Sequence, residues 1–168
     1  MTLSLHRLTV PAYLRGLNTL ARYLDHAAAH ARANGSDPDA LAAARLAPDM
    51  LPLAGQIQRA SDTSKNAIAR LLGTDPPRFA DQETTLGELR ERLEKTIAYV
   101  ESADPAAVDA GAAREITLTF GPLSRRFDGE GYVLEFALPN FYFHLATAHA
   151  ILRHAGVAIG KLDYLGAA

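Results

Sequence analysis

The sequence predicts a mainly α-helical protein, a four-helix bundle with a small β-hairpin between its third and fourth helices, formed by residues 1–168 as a single domain. Three observations predict it. Apolar residues recur at three- and four-residue steps in four long segments, the period changes to two between Glu115 and Phe120, and connectors rich in proline, glycine and polar residues separate these stretches. The connectors from helix two to three and from helix three to four are long, which suits a bundle whose helices do not simply alternate up and down.

Helix one is expected from Val10 to Ala31, where Val10, Tyr13, Leu14, Leu17, Leu20, Ala21, Leu24, Ala28 and Ala31 follow the helical period; Pro11 sits near its start and Asn34-Gly35 stops it. On this helix His26 and His30 form an H-x-x-x-H pair, a spacing able to chelate a metal. Both point roughly opposite the apolar stripe, beside Tyr23, so the pair reads as solvated, with Tyr23 marking a surface patch for a dimer contact. Asp37-Pro38 looks like an N-cap and first helical position, opening a short alanine-rich turn before Pro48.

Helix two is expected from Met50 to Leu72, with Met50, Leu53, Ile57, Ala60, Ala67, Ile68 and Leu71 inward and Arg59, Asp62, Lys65 and Arg70 outward. Gln56 lies at the flank of the apolar face, where its amide could close a hydrogen bond or reach a ligand. Gly73 ends the helix, and residues 74–84 read as a crossover. Thr85 and Glu88 have capping-box spacing, and Leu86, Leu89, Leu93, Ile97 and Val100 carry helix three to about Ser102, its charges Glu91, Arg92, Glu94 and Lys95 reading as a solvated face. After Asp104-Pro105, Ile116, Leu118 and Phe120 alternate with Glu115, Thr117 and Thr119, and Gly121-Pro122 precedes LSRRF, which makes a hairpin with Arg125 and Arg126 on its wet side. Gly129-Glu130-Gly131 lacks the spacing of a phosphate-cradling loop. Tyr132 to Leu138 reads as helix leading into Pro139, and Val157-Ala158-Ile159-Gly160 onward as an irregular tail whose Val157, Ile159, Tyr164 and Leu165 fold back on the bundle.

The last helix carries the candidate site. Phe141, Leu145, Ala148, Ile151, Leu152 and Ala155 share one side, with Arg153 opposite, while Asn140 and His144, four positions and so about 40° apart, point to the apolar side. His149 and His154 fall off its two edges. An inward imidazole needs partners for both ring nitrogens, which neighbouring protein groups or a ligand must provide.

Composition removes several alternatives. Hydrophobic residues make up 48% and charged residues 21% of the chain, with a formal net charge of −2, so no long-range field favours nucleic acid or anionic lipid. The opening MTLSLHRLTV lacks the basic start and continuous apolar core of a secretory signal, and no apolar run is long enough to span a bilayer. A cytoplasmic location is expected. The chain contains no cysteine, so it supplies neither disulfide, thiolate ligand nor thiol nucleophile.

The segments ARLAPDMLPLAGQIQRASD, LPNFYFH and AILRHAGVAIGKLDYLG resemble a bacterial family, domain of unknown function nineteen ninety-three, of the DinB/YfiT-like superfamily. The resemblance implies an up-down-down-up bundle, and in that superfamily many members hold a divalent metal through one histidine on helix two and an H-x-x-x-H pair on helix four. Some are thiol-dependent transferases. Carried over, those positions fall near Gln56, on Asn140 and on His144, so His144 is the one candidate metal ligand and amides stand at the other two. Amide oxygens are weak ligands for zinc-like ions, which points to a degenerate metal site and no tightly held cofactor. Gln56, Asn140 and His144 are then expected to line a polar pocket that takes a small ligand. Two alternatives remain open: a metal- or thiol-dependent transferase or hydrolase, and a non-catalytic structural protein. The resemblance also implies a homodimer.

Overall fold

In the computed structural model, which describes residues 3–166, seven helices and one hairpin follow in the order α1 (Leu5–Ala33), a 3-10 turn (Pro38–Ala43), α2 (Leu53–Leu72), α3 (Leu86–Glu101), α4 (Pro105–Asp109), β1 (Ile116–Phe120), β2 (Leu123–Phe127), α5 (Gly129–Tyr132), a π-helical segment (Val133–Ala137), α6 (Leu138–His154) and α7 (Lys161–Leu165). The bundle consists of α1, α2, α3 and α6. Its first helix begins earlier than the periodicity predicts, because the Ser4 hydroxyl accepts from the Arg7 N–H and caps it. Pro11 therefore lies inside α1. Helix α2 starts at Leu53 after an extended Pro52, and Gly73 closes it in the left-handed region at φ 70°. The capping box of Thr85 and Glu88 forms at the start of α3.

Contacts between helices give the topology. Gly16 lies against Phe141 and Tyr23 bonds to His149, so α1 and α6 run parallel; Gln56 meets His144 and Thr63 meets Asn140, so α2 and α6 run antiparallel. Helices α2 and α3 both start at the 3-10 turn, where the Leu53 N–H donates to Ala44 and the Leu86 N–H to the Asp39 carboxylate. The order is up, down, down, up. The core between them is built from Tyr13, Leu17, Leu20, Leu53, Ile57, Ile68, Leu89, Leu93, Phe141 and Leu145, all fully buried.

The hairpin is antiparallel, with Ile116 opposite Phe127 and Phe120 opposite Leu123. Ile116 and Leu118 face inward as the alternation predicts, and Arg125 and Arg126 are exposed; the Phe120 side chain lies outside the described residues. Two glycines seat this region on the bundle. A Cβ at Gly129 would lie 2.0 Å from the Gly111 carbonyl oxygen, and one at Gly111 would lie 2.4 Å from that of Leu71, so backbone stacks on backbone at the end of α2. Beyond it, Asp128 caps α5 and the chain continues as helix, with the Leu138 N–H bonding the Val133 carbonyl five residues back. A proline ring crowds the carbonyl four residues before it and brings no N–H, and the wider π turn ahead of Pro139 accommodates both.

Four assignments need correction. Lys65 and Arg92, read as solvated, are 5% and 2% exposed. The crossover folds back over them: Arg92 donates to Ser61 Oγ (3.1 Å), Asp62 (2.7 Å) and Glu83 (2.9 Å) and pairs with Asp81 at 3.0 Å, while Lys65 pairs with Asp62 at 3.0 Å. Both cations lie 5.4 Å from the centroid of the Phe79 ring. Tyr23, placed on the outer face, is 1% exposed. Its hydroxyl meets His149 Nδ1 of α6 at 2.6 Å, so a neighbouring helix covers the face that periodicity leaves outward. The tail itself is not wholly irregular, since Asp163 accepts from the Gly160 N–H and starts α7; Val157 and Ile159 are buried, but Leu165 remains exposed.

The Arg92 guanidinium is the cation that joins α2, α3 and the crossover. Replacing it with leucine strands Asp62 and Glu83 and is expected to cost about 3 kcal/mol in chemical denaturation; a loss below about 1 kcal/mol would show that the network does not hold the crossover.

Candidate functional site

The α2–α6 seam carries two polar rungs. At the first, the Gln56 Nε2 donates to the Leu51 carbonyl (3.0 Å) and the Gln56 Oε1 faces His144 Nδ1 at 2.8 Å. At the second, the Asn140 Nδ2 donates to Thr63 Oγ1 (2.7 Å), whose hydroxyl donates to the Arg59 carbonyl (2.7 Å). Gln56 and His144 thus meet, whereas Asn140 bonds Thr63 and does not join them. The three residues occupy adjacent turns of one seam instead of one closed cluster.

The first rung fixes a tautomer. A backbone carbonyl only accepts, so the Gln56 nitrogen must face Leu51 and its oxygen must face the ring; an amide oxygen only accepts, so His144 Nδ1 must carry the proton. The lone pair of the neutral imidazole then sits on Nε2. Among the described residues the only buried side-chain polar atom lacking a partner is Tyr13 Oη, so Nε2, which bonds to nothing else, is reached by solvent. Burial, and secondarily the Arg59 guanidinium, lowers the His144 pKa from 6.5 to about 4. At neutral pH the site presents an uncharged nitrogen base.

Beside the second rung, α2, α5, α6, the π-helical segment and β1 enclose a cavity of about 300 Å³. Arg59, Asp62, Thr63 and Asn66 line it from α2 and Asn140 from α6, with Thr117 and Thr119 on the hairpin side. Gln56 and His144 do not line it. Sequence reading missed Thr63, Asn66 and Arg70 here; all lie on α2 at seven- or four-residue steps beyond Gln56 and Arg59, a spacing that marks a shared face once Gln56 is known to look toward α6.

A family profile described as Domain of unknown function (DUF1993) matches residues 5–165. The chain belongs to this family. A crystal structure of a DinB family member protein from Shewanella denitrificans matches with a TM-score of 0.89 at 41% identity, over 98% of this chain and 93% of that one. Nothing matches among curated proteins. The fold of this DinB-like protein is thus the up-down-down-up bundle that the resemblance implies. No helix among the described residues is long and apolar enough to cross a membrane.

The three-histidine metal site of the superfamily does not fit these residues. Gln56 spends its oxygen on His144 and its nitrogen on Leu51, Asn140 donates to Thr63, and among the described residues no three His, Cys, Asp or Glu side chains converge as a metal site. One imidazole and two neutral amides, the oxygen of one of them already facing that imidazole, are a poor donor set for a divalent ion. The His26/His30 pair is elsewhere, on the face under α7: His26 Nε2 lies 3.9 Å from Asp163, and His30 rests near Gly156. There Tyr23 Oη and His149 Nδ1 are 2.6 Å apart. Because Tyr23 is buried against His149, the homodimer expectation rests on the family resemblance alone.

Three measurements follow. Nitrogen-detected NMR should find His144 as the Nδ1–H tautomer, neutral at pH 6; an Nε2–H tautomer would reverse the argument. Since its folded pKa lies below the unfolded value, the native state binds fewer protons between them, and the stability that His144 contributes above pH 6.5 is lost as pH falls toward about 4. His144→Phe should therefore show a flatter pH dependence than the parent across that window. Changing His26 and His30 together to alanine is expected to shift stability by less than about 1 kcal/mol; a large drop in melting temperature would mean that the pair holds α7.

Proposed function

We propose that this DinB-like protein binds a small organic molecule at the α2–α6 seam, without a tightly held metal. The observation that carries this reading is the directed chain from the Leu51 carbonyl through Gln56 to His144, which leaves a neutral, solvent-reached Nε2 as acceptor. A fixed acceptor on a rigid helix costs a ligand little ordering. One turn away, Asn140 lines the adjoining cavity with Thr63 and Asn66, which supplies further hydrogen-bonding groups in a concave setting. The amides Gln56 and Asn140 thus act as positioning and lining groups where relatives of the superfamily place histidines.

The same bare Nε2 is also what a metal-dependent transferase of this superfamily would need at one of its three ligand positions. Metal analysis of tag-free protein separates the two readings: the ligand-binding reading predicts metal well below one equivalent, unchanged by His144→Ala. Stoichiometric metal that disappears in His144→Ala would establish the transferase-type site instead. For binding itself, neutral fragments bearing an N–H or O–H donor should perturb the His144 and Asn140 resonances together, and His144→Phe should weaken them about tenfold. Shifts that cluster away from the seam, or that ignore His144, would contradict the reading.

A further inference from the structure

Of the charges lining the cavity, Arg59 and Asp62 belong to an ion-pair network that extends beyond it, and Arg70 does not. Arg59, Lys65 and Arg92 meet Asp62, Asp81 and Glu83: Asp62 accepts from Arg92 at 2.7 Å and Lys65 at 3.0 Å and lies 3.7 Å from Arg59, Arg59 also pairs with Asp81, and Arg92 pairs with Asp81 and Glu83 at 3.0 and 2.9 Å. Three cations and three carboxylates cancel. Arg70, three turns beyond Arg59 on α2, lines the same cavity and stands outside this set. Its Nη1 donates to Tyr132 Oη at 2.9 Å, and its guanidinium carbon lies 5.5 Å from the Tyr132 ring centroid. No carboxylate pairs with it among the described residues.

A guanidinium held by a buried tyrosine has already lost much of its rotamer freedom, so a partner gains more from each hydrogen bond. Among the described residues nothing bonds its Nε or Nη2, and neither is a buried orphan atom, so both remain accessible. Asn66 and Asn140 line the cavity beside it, and Leu118 and Phe136 form an apolar wall.

We propose that Arg70 makes this cavity a site for a small monoanionic carboxylate with an apolar body, the carboxylate seated on the guanidinium and the body against Leu118 and Phe136. One surplus positive charge balances one negative charge, and Asp62 in the lining opposes a dianion such as hydrogen phosphate. The planar fork of arginine matches a carboxylate through two parallel hydrogen bonds. The inference rests on the ligand-binding reading above through the shared wall at Asn140, and it gives the cavity that His144 does not line an anionic end group on Arg70.

Titration with benzoate, followed by the side-chain amide resonances of Asn66 and Asn140, tests it against neutral benzamide and inorganic phosphate. Benzoate is expected to saturate, with benzamide and phosphate at least about tenfold weaker. Arg70→Gln should weaken benzoate by at least about tenfold, and Arg70→Lys, which keeps the charge but not the fork, by less. Thermal melting of both variants confirms that the fold persists, and if Arg70→Gln unfolds, the Arg70→Lys loss decides the point. Benzamide or phosphate binding as well as benzoate, or variants binding like the parent, would overturn the carboxylate assignment while leaving a ligand site at Asn140 standing. No perturbation of Asn140 by any of the three would overturn both.

Discussion

Polar side chains between the helices of a bundle must find partners there, because an unpaired group out of water costs more than the bond it would have made contributes. In this protein that requirement falls on α2, which has a polar seam on either side. Toward α3, Ser61 Oγ and Thr96 Oγ1 lie 2.7 Å apart and Arg92 reaches across to Ser61 and Asp62. Toward α6, Gln56 and Thr63 meet His144 and Asn140. A slip of α2 by one turn would break all of these at once. Apolar ridges tolerate several registers, whereas these directed bonds tolerate one.

The candidate site is a by-product of the same constraint. The hydrogen bonds that hold α2 against α6 orient one imidazole and leave its second nitrogen outward, while the hairpin, seated by the Gly111 and Gly129 backbone stack, walls a cavity over the next turns. At the positions where the superfamily resemblance implies metal-holding histidines, Gln56 here holds His144 and Asn140 holds Thr63. The groups left available along the seam are therefore one neutral imidazole and one guanidinium held by Tyr132.

Periodicity made the four bundle helices and the hairpin legible, because a helix or strand that buries one face writes that face into its own sequence. It also placed His144 inward. It misplaced Lys65, Arg92 and Tyr23, and in each case the covering group comes from a distant segment: Phe79, Asp81 and Glu83 from the crossover, His149 from α6 for Tyr23. A hydrophobic period reports which face is apolar, and it is silent on a polar edge that a distant segment later buries. The site was legible to a similar extent. Gln56, Asn140 and His144 lie on one seam, but their division into two rungs depends on Thr63 and Leu51, whose partners no spacing rule names. Arg70 reads as an outward charge until the hairpin is laid beside it.

The central claim is that Gln56 holds the His144 ring, and a double-mutant cycle with Gln56→Leu, His144→Leu and the pair measures it most directly. A coupling free energy of about 1 kcal/mol or more is expected, since either single change leaves the other group without its partner. A coupling near zero, with the two losses simply adding, would mean that the two side chains stand side by side without orienting each other.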